Sequence, residues 1–172
     1  RHKHLVLRRQ RQMCIRDRAM NLAPKDYDFG NMENYSFAME VTCSNDEARK
    51  MFILAYGHML NYNHEEAIAC FSKCAELDPD CAMAWWGLAY CVSSNYNWTP
   101  GLGSGYDPIQ MAISLKEGCS EMEQDLIDAL AERHSEEARD AADPSVLNMG
   151  NSAELNIAFA EAMAPLYEKY SG

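Results

Sequence analysis

This chain of 172 residues has no long apolar run. Its longest, residues 81–92, covers about 12 positions, against the roughly 20 that a membrane-spanning helix needs, so it reads as a buried helix. Glycine (9) and proline (6) are sparse, and no series of short alternating segments appears, which argues against strands linked by tight turns. Also missing are a phosphate-cradling glycine loop that ends in lysine and the Gly-x-Ser-x-Gly elbow of serine hydrolases. The nearest segment, Gly101-Leu102-Gly103-Ser104-Gly105, has no strand-like run before it and no lysine after it, and reads as a connector. Positive charge is scarce beyond residue 18: 8 Lys and Arg face 25 Asp and Glu there, a net of −17 within a whole-chain −11. A body that acidic repels nucleic acid and anionic membranes.

The missing positive charge is concentrated at the front. Residues 1–18 hold seven Lys or Arg against one acid, Asp17. A basic start of this kind can be a transit peptide or a nucleic-acid or nuclear-import arm. The run Arg9-Gln10-Arg11-Gln12-Met13-Cys14-Ile15-Arg16-Asp17-Arg18, however, resembles translated sequencing-adapter DNA, and residues 1–18 are read as a non-native or disordered segment outside the fold. The natural start is then expected near Met20 or upstream of it. Residues 19–43 lack helical periodicity but carry Tyr27, Phe29, Tyr35 and Phe37, which predicts an extended lead-in lying on the first helices. Seven cysteines (Cys14, Cys43, Cys70, Cys74, Cys81, Cys91, Cys119) follow no disulfide framework, and most fall at small apolar helix positions. That usage points to a reducing compartment, the cytoplasm.

From residue 44 onward the pattern is helical. Ser44-Asn45-Asp46-Glu47 has the form of a capping box and starts a helix over about 45–61, with Met51, Leu54, Ala55 and His58 on one face. Asn63 caps the next, about 64–76, with Ala67, Phe71 and Cys74 inward; Asp78-Pro79-Asp80 ends it. A third, about 81–93, is apolar on nearly all sides and must be covered on nearly all sides. A long loop, 94–107, follows, with Tyr96 and Trp98 as anchors over the helices. Asp107-Pro108 then starts a helix to about 117. Ser120 and Glu123 cap another, with Met122, Leu126, Ile127 and Leu130 inward. The last helix, about 152–170, has an apolar stripe of Leu155, Phe159, Ala162, Leu166 and Tyr170 with no helix after it, which suggests a truncated array.

One step in the middle repeats. From Ala48 to Ala82 is about 34 residues, the period of a tetratricopeptide repeat. The run Asn63-His64-Glu65-Glu66-Ala67, then Asp78-Pro79-Asp80-Cys81-Ala82-Met83-Ala84-Trp85-Trp86-Gly87-Leu88-Ala89, then Asn95-Tyr96-Asn97, resembles a bacterial-type branch of that family. The resemblance covers about residues 35–131 and departs from the general pattern at Met51, His58 and Val92. It implies an all-α helix-turn-helix solenoid over 44–172, incomplete at its C-terminal end, that serves as a scaffold for protein–protein binding and has no catalytic residue. It also implies a concave face bearing Arg49, Phe52, Tyr56, Trp86 and Tyr90, an aromatic stripe suited to a peptide. The lead-in and the 94–107 loop could fill that groove themselves.

The expected partner is a protein or peptide of basic and apolar character, with no nucleic acid, membrane or cofactor. The alternative is an accessory or small-molecule-binding enzyme subunit with 94–107 as a lid. His58, His64, Cys70 and Cys74 are four soft donors that could hold zinc, but two of them occupy helix-packing positions, and no metal is expected from them. Glu65, Glu66, Glu121 and Glu123 fall in first turns, where acids meet the helix dipole, and are read as capping residues.

Overall fold

The computed structural model describes residues 40–93, 104–136 and 149–171. Among them every regular element is helical. α1 is Asp46–Leu60, α2 His64–Leu77, α3 Ala82–Val92, α4 Tyr106–Leu115, α5 Glu121–Ala131 and α6 Met149–Tyr170, with a 3-10 turn at Lys116–Gly118 between α4 and α5. No described helix is long and apolar enough to cross a membrane. The segment 1–18, most of the lead-in and the loop anchors Tyr96 and Trp98 lie outside the described residues.

Each helix start has a local cause. α1 is capped by Asn45, whose Oδ1 accepts the Ala48 amide at 2.8 Å. The expected box of Ser44 with Glu47 does not form, because the Ser44 amide donates instead to Asp78 Oδ2, 2.5 Å away. Asn63 makes no side-chain cap bond. Ser120 and Glu123 form the full reciprocal box at the start of α5. α4 begins at Tyr106, ahead of the expected Asp107, with Ser104 Oγ accepting the Tyr106 amide at 3.2 Å.

α1 ends in a tight reversal. The Tyr62 amide donates to Met59 O at 3.1 Å and the Asn63 amide to His58 O at 3.0 Å, with Tyr62 at φ 61. That left-handed position usually takes glycine. Only three residues separate α1 from α2, so the two fold back as a helical hairpin.

Consecutive helices pack in chain order: α1 on α2, α2 on α3, α3 on α4. α3 lies at the centre, and α1, α2, α4 and α5 all reach it. All of its residues except Tyr90 are buried, as its all-round apolar sequence requires. The inward face of α2 matches the periodicity, with Ala67, Phe71 and Cys74 all at 0% exposure; on α1 Met51, Leu54 and Ala55 are buried but His58 is only half-buried. In α5 the pattern departs from expectation. Met122 is exposed and Leu126 only half-buried, while the carboxylate of Glu123 is buried. The stripe of α6 is half-buried and lies against α5. Lys169 Nζ reaches Glu121 Oε1 and Asp125 Oδ2, both at 2.7 Å.

Gly87 sets how closely α2 and α3 approach. A Cβ placed there would lie 2.3 Å from two carbons of the fully buried Phe71 ring. Gly87→Ala gains about 1 kcal/mol of helix propensity. The ring it must displace costs about 1–3 kcal/mol of overpacking, at the upper end where the contact is this short. Chemical denaturation of Gly87→Ala is expected to show a net loss of about 1–2 kcal/mol.

Candidate functional site

The aromatic stripe is built twice, 34 residues apart. Phe52 and Tyr56 stack with centroids 6.0 Å apart at 14°. Trp86 and Tyr90, their counterparts one repeat later, stack at 5.8 Å and 28°. In each pair the first ring is buried and the phenol half-buried: Phe52 is 0% and Trp86 7% exposed. Spacing of i and i+4 on a helix brings each pair together.

The five residues of the expected groove therefore divide by role. Phe52 belongs to the core and also meets Phe71 edge-on at 5.6 Å. Trp86 is packed toward α5, its Nε1 donating to Leu126 O at 3.1 Å. Arg49 is turned to the lead-in: its Nη1 donates to Val41 O at 2.8 Å and its Nη2 to Cys43 O at 3.2 Å. Tyr56 and Tyr90 remain as the accessible part. They are near enough that burial first, and then the neighbouring Tyr90 phenol, raise the Tyr56 pKa.

The structure adds residues that spacing did not connect. Arg133, just past α5, lies near Tyr90 and sits 5.9 Å from the centroid of the Phe159 ring of α6, with Nε donating to Asn156 Oδ1 at 2.9 Å. His64, at the start of α2, is buried with neither ring nitrogen hydrogen-bonded. Burial first and the Arg133 charge second lower its pKa. His134 next to Arg133 is pushed down to about 3, chiefly by burial, and is neutral at physiological pH. Its Nε2 is 3.5 Å from Ser93 Oγ. Arg133 thus lies beside Tyr90 of the phenol face, and its charge also acts on the His64 and His134 imidazoles. No local motif announces this, because Arg133 is far from Tyr90 and His64 in the chain.

The four soft donors singled out in the sequence do not gather. Among the described residues the group whose ligand atoms come together is Cys43, Cys74 and Cys81, with all three sulfurs within 4.8 Å of one another. Cys43 Sγ and Cys81 Sγ are 3.1 Å apart, and Cys74 Sγ is 3.2 Å from Ala48 O. Hydrogen bonds from the Cys74 and Cys81 thiols hold Cys43 down to about 4. Bonds to Cys43 and Cys81, with burial, push Cys74 far up, while the bond to Cys43 and burial, against an opposing bond from Cys74, push Cys81 up to about 12. Glu65, Glu66, Glu121 and Glu123 stand in first turns as expected, and Glu123 is in addition a buried hydrogen-bond acceptor. No family model, no curated protein and no solved structure matches this chain.

Proposed function

We propose that the chain is a repeat scaffold of tetratricopeptide type that holds a protein segment along the face bearing Tyr56 and Tyr90. The observation that carries this reading is the recurrence, at a 34-residue interval, of one packing unit: a buried ring stacked under a half-exposed phenol. A unit repeated in this way offers evenly spaced anchors along one face, as stacked helical repeats do. Phenols give large, rigid contact area at low entropic cost, with a polar tip for hydrogen bonding. The acidic body favours a partner of basic and apolar character. The reading includes no catalytic residue.

Synthetic peptides graded from acidic to basic and from polar to apolar, measured by fluorescence anisotropy against the full chain, test it. Basic, apolar members are expected to bind, and more weakly as salt rises. Tyr56→Ala and Tyr90→Ala should each weaken binding by about tenfold, the effect of a modest anchor residue, with little change in melting temperature. Trp86→Ala should instead destabilise the fold by about 3 kcal/mol, because its ring is packed. Failure of every peptide class to bind, or unchanged binding by both tyrosine variants, would refute the proposal.

A further inference from the structure

We infer that Cys43, Cys74 and Cys81 form a zinc site of three thiolates whose fourth position is left to solvent. The three sulfurs come from three separate segments. Cys43 lies on the extended stretch before α1, Cys74 in the last turn of α2, and Cys81 at the N-cap of α3. Tetrahedral zinc with bonds of about 2.3 Å places its sulfurs roughly 3.8 Å apart. Cys43 and Cys81 are 3.1 Å apart and all three sulfurs lie within 4.8 Å of one another, so the group is compact enough for that spacing.

The segments that present the sulfurs are held on all sides. The Ser44 amide is anchored on Asp78 and the Cys81 amide on Asp78 O at 3.1 Å. Arg49 grips the carbonyls of Val41 and Cys43. Thr42, between them, donates its amide and hydroxyl to Glu123 at 2.7 and 2.6 Å. Such outer contacts orient ligands and are characteristic of built metal sites. Cys74 and Cys81 are buried while Cys43 is half-buried, so an ion can enter from the Cys43 side and a water can complete the tetrahedron there.

Charge selects a dication. Zinc offsets two of the three thiolate charges, and the Arg49 guanidinium, which donates to the Cys43 carbonyl, is near enough to Cys43 to act on the remaining one. Cuprous ion would leave one thiolate charge more than zinc does, uncompensated even with Arg49, next to the buried carboxylate of Asp78. On binding, each of the three cysteines that still carries a proton gives it up to solvent as its zinc–sulfur bond forms, with no change of oxidation state. The clamp would fasten the lead-in to the junction of α2 and α3. It is independent of whether the phenol face holds a peptide.

The test uses the full chain, purified under reductant, stripped with a chelator and titrated with Zn2+ in competition with a chromophoric chelator, and with Co2+ by absorbance. One equivalent should bind, with thiolate-to-cobalt charge transfer and the intensity of a four-coordinate site. Cys43→Ser should weaken binding by at least about 100-fold, since even outer partners of a metal site are worth roughly 10–100-fold. Cys91→Ser, away from the group, should bind as the parent does. Cys43 precedes α1, so its variant keeps the helical circular dichroism that certifies folding; Cys74→Ser and Cys81→Ser add to the result wherever that signal survives. The site is overturned if the folded parent binds neither ion stoichiometrically or takes up only Cu+. It is equally overturned if Cys43→Ser binds undiminished, or if a Cys43–Cys81 disulfide persists under reductant.

Discussion

Trp85→Ala is expected to cost about 4 kcal/mol of folding stability, within the 3–5 kcal/mol typical of removing a large buried aromatic. Trp85 is fully buried in α3, the helix against which most of the others pack. Its Nε1 donates to Pro79 O at 3.2 Å, so the indole also secures the turn between α2 and α3. Alanine would open a cavity where neighbours on several sides are already close-packed and cannot all collapse inward. Trp85→Phe separates the two contributions. It keeps most of the apolar volume and loses the hydrogen bond, worth about 1 kcal/mol, together with the small volume difference. Urea denaturation should therefore place the phenylalanine variant about 1–2 kcal/mol below the parent, well above the alanine variant. Equal losses in the two would mean that the turn, not the core, depends on this side chain.

Glu123→Ala is expected to cost about 3 kcal/mol, a large effect for a single carboxylate. The side chain is 2% exposed and accepts four hydrogen bonds: from the Thr42 amide and hydroxyl at 2.7 and 2.6 Å, and from the Ser120 amide and hydroxyl at 2.8 and 2.7 Å. It closes the cap of α5 and, through the same two oxygens, pins the segment ahead of α1. Burial pushes its pKa up, but the bonds from Thr42 and Ser120 together outweigh burial and bring it below the ordinary value. The sign of the pH dependence follows. A carboxyl whose folded pKa is depressed stabilises the protein above the unfolded value of about 4.3, and that contribution disappears as pH falls through the folded pKa. The parent should lose stability below about pH 5 more steeply than Glu123→Gln, which has no charge to lose. Parallel pH profiles of the two would show that the carboxylate is not held in its ionised form.

Several features were legible from residue order alone because their causes are local. The positions of α1, α2, α3 and α5 follow from apolar spacing and from Asp78-Pro79, and the box at Ser120 and Glu123 needs only residues three apart. The inward set Ala67, Phe71 and Cys74 follows from the helical period. What failed was decided by competition at a distance. Ser44 had the right sequence to cap α1, but Asp78, far along the chain, offered its amide a carboxylate, and Asn45 took over the cap. Met122 sits at a position that periodicity assigns to the interior, yet the neighbouring Glu123 is the buried residue because Thr42 supplies its hydrogen bonds.

The phenol face and the thiol group were legible to different degrees. The stacked pairs lie four residues apart on single helices, so their existence could be read from spacing. Which ring of each pair would be buried depended on what packed over it, as α5 does over Trp86. Arg49 counted as a groove residue by position, but the structure turns it to the carbonyls ahead of α1.

By itself, the order of residues determined a helical chain with a 34-residue lag and an acidic body, since helix period, caps and charge are properties of short segments and sums. Only the tertiary structure decided that Cys43, Cys74 and Cys81, spread over 38 intervening bonds of sequence from first to last, meet with their sulfurs within 4.8 Å. Proximity of that sort depends on how hairpins close and stack, and no local pattern of residue types encodes the distance between their ends.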